Sequence, residues 1–349
     1  MLGDAPQHVE VWNGEQVDAW HAYHTSGMPE MISSMHLCMA IFALAESGCL
    51  ERLRAKEWSS AAEILDGAET ELGRGFLRYL QVCNVLDEWE GRYRLTPRGS
   101  MLTGEISLAR LGFYLEAYAP VTRRMTDLLT GKAVYGRDVV RAGGPLSRHS
   151  GTVTTVSYVG LVDEALAGRS PRRVLDIGCG DGSLVLQLCG RRPDLFGVGI
   201  DISPDAIDNA RTNSARANLA ARTAFEVADA FSPDTWPESA WAADVIIGVG
   251  VMHELFRDGE QAVIAILDRL AEALAGGKVF LLGEPELRYD NRANDSDFFL
   301  VHVLTGQGIP RDRAAWLEVF RNSRLRCERI FTNAVAGPRT CFYELTARA

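Results

Sequence analysis

Positive charge is scarce in this chain of 349 residues: 36 Lys and Arg stand against 46 Asp and Glu, for a net charge of −10. Such a surface repels a phosphate backbone, so nucleic acid is not expected as a partner. The seven cysteines are odd in number and scattered without a CxxC pair. That argues against a disulfide framework and against a thiolate zinc site, and they read as buried thiols. Long apolar runs are missing as well. The longest near the start, Leu37 to Ala45, is too short to span a bilayer, and no basic leader precedes it. No membrane association is expected, which leaves a soluble cytoplasmic protein. Internal repeats and low-complexity stretches are absent too.

What is present is length and core. The chain exceeds the usual size of one domain, and its 47% hydrophobic content is ample for two. Gly143-Gly144-Pro145 and Ser170-Pro171 flank a helix expected near Val153 to Leu166 and mark the clearest boundary. We divide the chain into residues 1–105, a linker over 106–168, and a second domain over 169–349.

The second domain opens on the most telling segment, Val174-Leu175-Asp176-Ile177-Gly178-Cys179-Gly180-Asp181-Gly182. An apolar strand runs into a glycine-rich turn and then a helix whose apolar face is Leu184, Val185 and Leu188. The glycines free the backbone and leave no side chain between peptide and ligand. Asp176 would repel a pyrophosphate but suits a cationic or hydroxyl-bearing ligand. A second strand ends at Asp201-Ile202, about 20 residues on, where an acid usually meets a ribose hydroxyl pair. A third leads to Asp229-Ala230-Phe231, an acid for an adenine amino group and a ring to cover it. A fourth, Asp244 to Val251, ends at Met252-His253-Glu254.

These four motifs, in this order, resemble those of the class I S-adenosylmethionine-dependent methyltransferases over roughly residues 170 to 349. The resemblance implies an α/β, Rossmann-like doubly wound sheet that binds S-adenosylmethionine. It puts Asp176, Gly178 and Gly180 around the methionine part, Asp201 and Ile202 at the ribose, and Asp229, Ala230 and Phe231 at the adenine. An ordinary doubly wound domain with strand-end acids is the plainer alternative.

Helices near Met35 to Ala45, Ser60 to Leu65 and Leu72 to Leu86, followed by Trp89 to Gly99, form a winged-helix pattern. A DNA reader would need a basic helix, yet 8 Lys and Arg face 15 Asp and Glu through residue 100, with Glu69 and Glu71 at the helix entrance. The whole chain looks like the two-domain small-molecule O-methyltransferases, whose amino-terminal α-helical winged-helix domain pairs two subunits. A homodimer is therefore expected. The segment Leu108 to Leu129, with Phe113, Tyr114 and Tyr118, would be a linking helix that roofs the substrate cleft.

Chemistry is expected where the fourth strand ends. His253 there suits general-base work, since an imidazole accepts a proton near neutral pH, and a His followed by an acid is the base of the O-methyltransferases that this chain resembles. His302 departs from their pattern, which has an apolar residue there. Two neutral imidazoles can hold a metal ion and leave positions open for water and substrate. His253 and His302 resemble the pair in metal-dependent 2-oxo acid C-methyltransferases of the phenylpyruvate type. Gly306 and Trp316, and Gly131-Lys132 with Tyr135, Arg137 and Asp138, extend the likeness, although Glu254 stands where Asp is expected.

That likeness implies iron or zinc on His253 and His302, stabilising the enolate of a chelated 2-oxo acid whose β-carbon becomes the nucleophile. Glu254 would orient metal-bound water or accept the proton, and Arg137 would fork onto the substrate carboxylate, with Arg123 and Arg124 as competitors. The alternatives are a metal-free O-methyltransferase with His253 as base and a cofactor-sensing DNA-binding regulator. His302 could instead be satisfied by a backbone carbonyl. His21 and His24 share a helical face and suit a surface or dimer contact better than a metal. His36 at a helix start and His149 in the linker read as structural, Asp295 and Asp297 as caps, and Glu284 and Glu286 as solvated acids at a fifth strand's end. Phe113, Tyr118, Phe298 and Phe299 hint at an aromatic acceptor.

Overall fold

The computed structural model describes residues 7–11, 13–68, 70–274, 276–285, 296–306, 312–332 and 340–348. Glu69, Glu286 and Asp295 lie outside these residues, as does the side chain of Asp297. The chain divides into two compact units, Met1–Leu108 and Ala109–Ala349.

The first unit is helical, with a small antiparallel sheet of strands β1 (Ser59–Ser60), β2 (Leu86–Trp89) and β3 (Arg92–Leu95) in the order β1-β3-β2. Ser60 caps the short helix Ala61–Ile64, its hydroxyl accepting from Glu63 N while Glu63 returns the bond to Ser60 N, a reciprocal capping box. Leu44, Leu50, Leu53, Ile64, Leu77, Leu80 and Leu86 make the core of this unit.

Two helices differ from the expectation. The apolar helix runs from Met28 to Glu46, not from Met35, so His36 is an exposed mid-helix residue rather than a helix start. By length and composition it could cross a membrane, with a mean hydropathy of 1.4 over an 18-residue window. Counting the unbroken run Leu37 to Ala45 missed this, because Ser33, Ser34 and His36 interrupt the run without lowering the average enough. The third helix stops at Val82 because the chain must turn into β2 at Leu86. The cysteines are all free, but Cys38 is exposed and Cys83 and Cys327 are half-buried, so buried thiols describe only the other four.

The second unit is built on a seven-stranded sheet: β4 (Arg173–Ile177), β5 (Phe196–Asp201), β6 (Thr223–Val227), β7 (Val245–Val249), β8 (Val279–Pro285), β9 (Leu325–Thr332) and β10 (Thr340–Ala347). Their order is β6-β5-β4-β7-β8-β10-β9, with β4 to β8 pairing in parallel and β10 antiparallel to both its neighbours, β8 and β9. Strands covered on both faces read as apolar runs. Along β8, Phe280 and Leu282 join the core that holds Trp316 and Leu267, while Val279 and Leu281 join the core that holds Val185 and Leu188. The strand order reverses between β4 and β7, where ligands of such sheets bind at the carboxyl ends.

The linking segment is not one helix. It breaks into Glu105–Gly112, a π-helical turn Phe113–Ala117, Ala119–Arg123 and Met125–Leu129. Pro120 cannot donate a backbone bond within a continuing helix, so it sits in the first turn of a new one. Gly143-Gly144-Pro145 is likewise no linker but the start of the helix Gly143–Ser157, followed by Val159–Ala165.

Candidate active site

Two chain segments meet at the switch point. After β4, Gly178, Gly180 and Gly182 adopt φ of +71°, +55° and +78°, angles that other residues avoid. The turn folds back on β5, where Asp201 Oδ2 accepts from Gly180 N at 2.9 Å. After β7, Gly250 bonds to Gly283 O and the chain winds into a 3-10 turn, Met252–Asp258, that carries His253 and Glu254. Between these ends lies a cavity of about 600 Å³, entirely within the second unit.

One end of the cavity is acidic. Asp176, Asp181 and Asp201 all line it, and burial, with the negative charges of Asp201 and Asp181, pushes the Asp176 carboxyl well above the usual range. Asp181 and Asp201 are raised as well, chiefly by burial. Such a set favours a ligand that brings positive charge. Cys179 between the glycines is raised well above its ordinary value by burial and by the same carboxylates, so it stays a thiol and not a nucleophile. Asp229, Ala230, Phe231 and Ile202 also line the cavity. Asp229 turns its carboxylate onto Phe231 N and the Ser232 hydroxyl, at 2.9 and 3.0 Å.

The other end holds the two imidazoles. His253 and His302 are 4% and 2% exposed, and their Nε2 atoms face each other at 3.0 Å. His253 Nδ1 lies 2.7 Å from Glu284 Oε2, and His302 Nδ1 lies 2.7 Å from Phe298 O. A carbonyl only accepts, so His302 Nδ1 carries the hydrogen and its Nε2 presents a lone pair to His253 Nε2. His302 does not resolve this by protonation: burial and the neighbouring His253 lower it to about 3. The expected alternative for His302, a backbone carbonyl, thus accounts for one ring nitrogen and leaves the other facing His253.

Glu284 is not a solvated acid. It is fully buried on β8, and its Oε1 accepts from Val251 N at 3.2 Å and Met252 N at 2.7 Å while Oε2 holds His253. Strand β8 thereby fixes the turn that ends β7. Arg137, expected to face a substrate carboxylate, lies on the surface with 71% of its side chain exposed and is paired with Asp138. Exposed Arg124 pairs with Asp127, and Arg123 is exposed. The cavity is lined instead by Arg141, four residues further on, with Arg110 and Arg257. Arg141 is ion-paired with Glu254 and donates to Tyr118 Oη at 3.2 Å. Burial opposes its charge, and Glu254, Tyr118 and Tyr135 outweigh burial and hold it above its ordinary value.

Around this pair stand Phe113, Tyr118, Tyr135 and Phe298, with Arg110 and Arg257. Trp316 lies in the sheet core instead, and His149 is buried against Glu116. His21 and His24 are exposed on the helix Gly14–Thr25.

A family model described as a methyltransferase domain matches residues 169–300. Over 322 residues the chain is 27% identical to the 2-ketoarginine methyltransferase of Streptomyces arginensis, spanning 87% of this chain and 88% of that one. The chain is an S-adenosylmethionine-dependent methyltransferase with a class I methyltransferase domain. The methyltransferase is also 33% identical over 122 residues to the indolepyruvate C-methyltransferase of Streptomyces griseus, 34% of each chain. In fold it is similar to the mitomycin 7-O-methyltransferase MmcR, with a TM-score of 0.71 and 22% identity over 95% of this chain and 100% of that one. The doubly wound sheet described above is the scaffold of this methyltransferase, and S-adenosylmethionine is its cofactor.

Proposed function

We propose that the enzyme methylates the β-carbon of an aromatic 2-oxo acid, with a metal ion held between His253 and His302. The observation that carries this is the pair of Nε2 atoms facing at 3.0 Å, with both Nδ1 atoms engaged elsewhere. Two ring nitrogens at that distance attract only with a cation between them, either a proton or a metal ion. Two imidazole nitrogens are a donor set that would suit an ion such as iron or zinc. Among the described residues no cluster of three or more His, Cys, Asp or Glu stands ready to hold one. Two protein ligands leave the remaining positions to substrate and water. A bound ion would supply Lewis-acid stabilisation of the charge that develops when the substrate enolises.

The chain's own residues do the rest. Glu284 fixes the tautomer and direction of His253. Arg141 receives the substrate carboxylate in a fork geometry. Glu254, its present partner, takes the proton lost from the β-carbon. That carbon bonds to the methyl group, the carbon–sulfur bond of the sulfonium breaks, and S-adenosylhomocysteine leaves. Asp176 takes the ammonium of the cofactor, Gly178 and Gly180 give it room, Asp201 and Ile202 take the ribose, and Asp229, Ala230 and Phe231 the adenine.

The relatives named for 2-ketoarginine and indolepyruvate divide on the acceptor's side chain. Among the described residues, the substrate end holds Arg110, Arg141 and Arg257, four aromatic rings, and one acid, Glu254, that is already paired with Arg141. A guanidinium would meet guanidiniums there, and an aromatic side chain would meet rings. The His253–Glu284 dyad also favours a second reading, a metal-free O-methyltransferase with His253 as general base. The exposed apolar helix Met28–Glu46 pairs the first unit with a second copy.

The test is elemental analysis of wild type beside His302→Ala, with turnover on phenylpyruvate and on 2-ketoarginine before and after chelation. Near-stoichiometric metal lost in the variant, chelator-sensitive turnover and a preference for phenylpyruvate are expected. Metal-free protein whose activity survives chelation would leave the O-methyltransferase reading.

A further inference from the structure

The helix Gly143–Ser157 has two different faces. On one, Leu146, Ser147, Ser150 and Gly151 line the cavity, and a Cβ at Gly151 would come within 2.4 Å of Asp181 Oδ1. His149 stands two residues from both Ser147 and Gly151, about 200° round the helix. It therefore points away from the cavity, and neither it nor Arg148 lines the cavity wall.

What His149 meets is the start of the π-helical turn Phe113–Ala117. A Cβ at Gly112 would lie 2.2 Å from its imidazole, so the ring is seated directly on the chain there. Within the turn, one oxygen of Glu116 takes two donors, Arg148 Nη2 at 2.6 Å and His149 Nε2 at 2.5 Å. Burial opposes the charge of Glu116, and the bonds from His149 and Arg148 outweigh burial and hold its carboxyl below the ordinary value. An ionised carboxylate only accepts, so His149 Nε2 carries the hydrogen. His149 is buried and Glu116 half-buried, where such a charge-assisted bond is strong. The same turn carries Phe113, whose ring centre lies 4.9 Å from that of Tyr118 and 6.1 Å from that of Phe298. Phe298 in turn packs on His302 at 4.2 Å. One helix thus touches the cofactor side of the cavity with one face and, through His149 and Glu116, holds the aromatic side with the other. Turns of this π-helical kind are frequent at functional sites.

We propose that Glu116 and His149 are positioning residues, which pass cofactor occupancy from the helix Gly143–Ser157 to the aromatic side of the cavity. A cofactor lying against Ser150 and Gly151 steadies the helix, and the His149–Glu116 bond carries that order into the segment that aims Phe113. Neither residue touches cofactor or acceptor. The backbone bond from Ala142 N to Ala117 O, 2.9 Å, is a second tie at the start of the helix, and it hinges the turn without fixing Glu116. This rests on the cofactor assignment and not on the acceptor or the metal.

Amide hydrogen exchange of the full chain, with and without S-adenosylhomocysteine, reads the two sides separately. In wild type the ligand should slow exchange over the glycine turn after β4 and also over Phe113–Ala117, the latter about fivefold, the low end of coupling between sites. Glu116→Ala should keep the first effect and lose the second. Glu116→Gln, whose amide oxygen still accepts from His149, should retain most of both. Should Glu116→Ala fail to fold, Gly112→Ala breaks the same tie from the other side, because its added Cβ displaces the imidazole. A mere brace would speed exchange in these variants by one factor with and without the ligand. A ligand effect on Phe113–Ala117 that is absent in wild type, or as large in Glu116→Ala and Gly112→Ala as in wild type, overturns the proposal. Wild-type exchange that the ligand alters in neither segment would overturn the cofactor assignment, and this proposal with it.

Discussion

Asp176 shows how one buried carboxyl ties ligand binding to pH. In the free protein burial and two neighbouring acids raise it well above the carboxylate range. The fold therefore holds a proton that the unfolded chain has already lost, and the stability this lends is present at low pH and lost as pH rises through the raised value. A ligand ammonium reverses the preference, since it pairs only with the ionised form. Cofactor binding must then release a proton, and affinity should rise with pH until the free-protein value is passed. Titrating S-adenosylhomocysteine between about pH 4 and pH 8 tests this in wild type and Asp176→Asn, which should bind weakly and without that slope. A wild-type affinity flat across the range would mean that Asp176 is ionised before the ligand arrives. Glu284 gives a second test at this scale. Its carboxylate accepts from two backbone N–H groups and from His253, three donors that a Gln amide cannot all satisfy. Glu284→Gln should cost about 1–3 kcal/mol of stability and lower kcat about 10–100-fold, with KM for the cofactor unchanged. Undiminished kcat would remove Glu284 from the orientation of His253.

Elements differ in how openly the sequence declares them. Strands β4, β5 and β7 were legible because burial on both faces makes them unbroken apolar runs that stop at glycine or acid. Asp176, Asp201 and His253 could be placed beside one cavity from those strand ends, and Asp229 from the end of β6. Glu284 escaped because it continues β8 past the point where apolar residues end, and an acid after Gly283 reads as a strand end in water. Arg141 escaped in favour of Arg137 because a loop has no period: Gly136 at φ +87° and the bridge between Tyr135 and Val139 decide which arginine turns inward. The π-helical turn Phe113–Ala117 carries no signal beyond Pro120. Packing between elements is also testable here. A Cβ on Gly199 of β5 would lie 2.6 Å from Phe225 and 2.8 Å from Cys179 Sγ. Gly199→Ala should therefore cost about 1–3 kcal/mol as overpacking, and displacement of Cys179 should carry the glycine turn with it. Denaturant unfolding and cofactor titration should both register the change. A loss of stability with cofactor affinity intact would show that the turn is not coupled to β5 packing.

Across the whole molecule, the largest feature that the second unit's chemistry does not use is the helix Met28–Glu46. Met28, Met31, Ile32, Met35 and Met39 are 38–55% exposed, and four of the chain's eight methionines lie on it. Positions 28, 31, 35 and 39 follow helical spacing, so they form one apolar face about 17 Å long. Flexible thioethers adapt to an opposing protein surface, and water is a poor neighbour for a patch of this size. A bilayer is the competing occupant, but Glu30, Ser33, Ser34 and His36 fall within the first half of the helix, and a spanning segment needs about 20 predominantly apolar residues. A second copy, presenting the same face across a two-fold axis, would cover the patch without burying those groups in lipid. Light scattering should then give twice the chain mass of 38.3 kDa. Replacing Met31 and Met35 together by Glu sets charges on adjacent turns of that face, and should yield a monomer whose second unit still binds S-adenosylhomocysteine. A wild type that is monomeric and floats with lipid vesicles would assign the face to a membrane. An unchanged dimer in the double variant would put the contact on another surface of the chain.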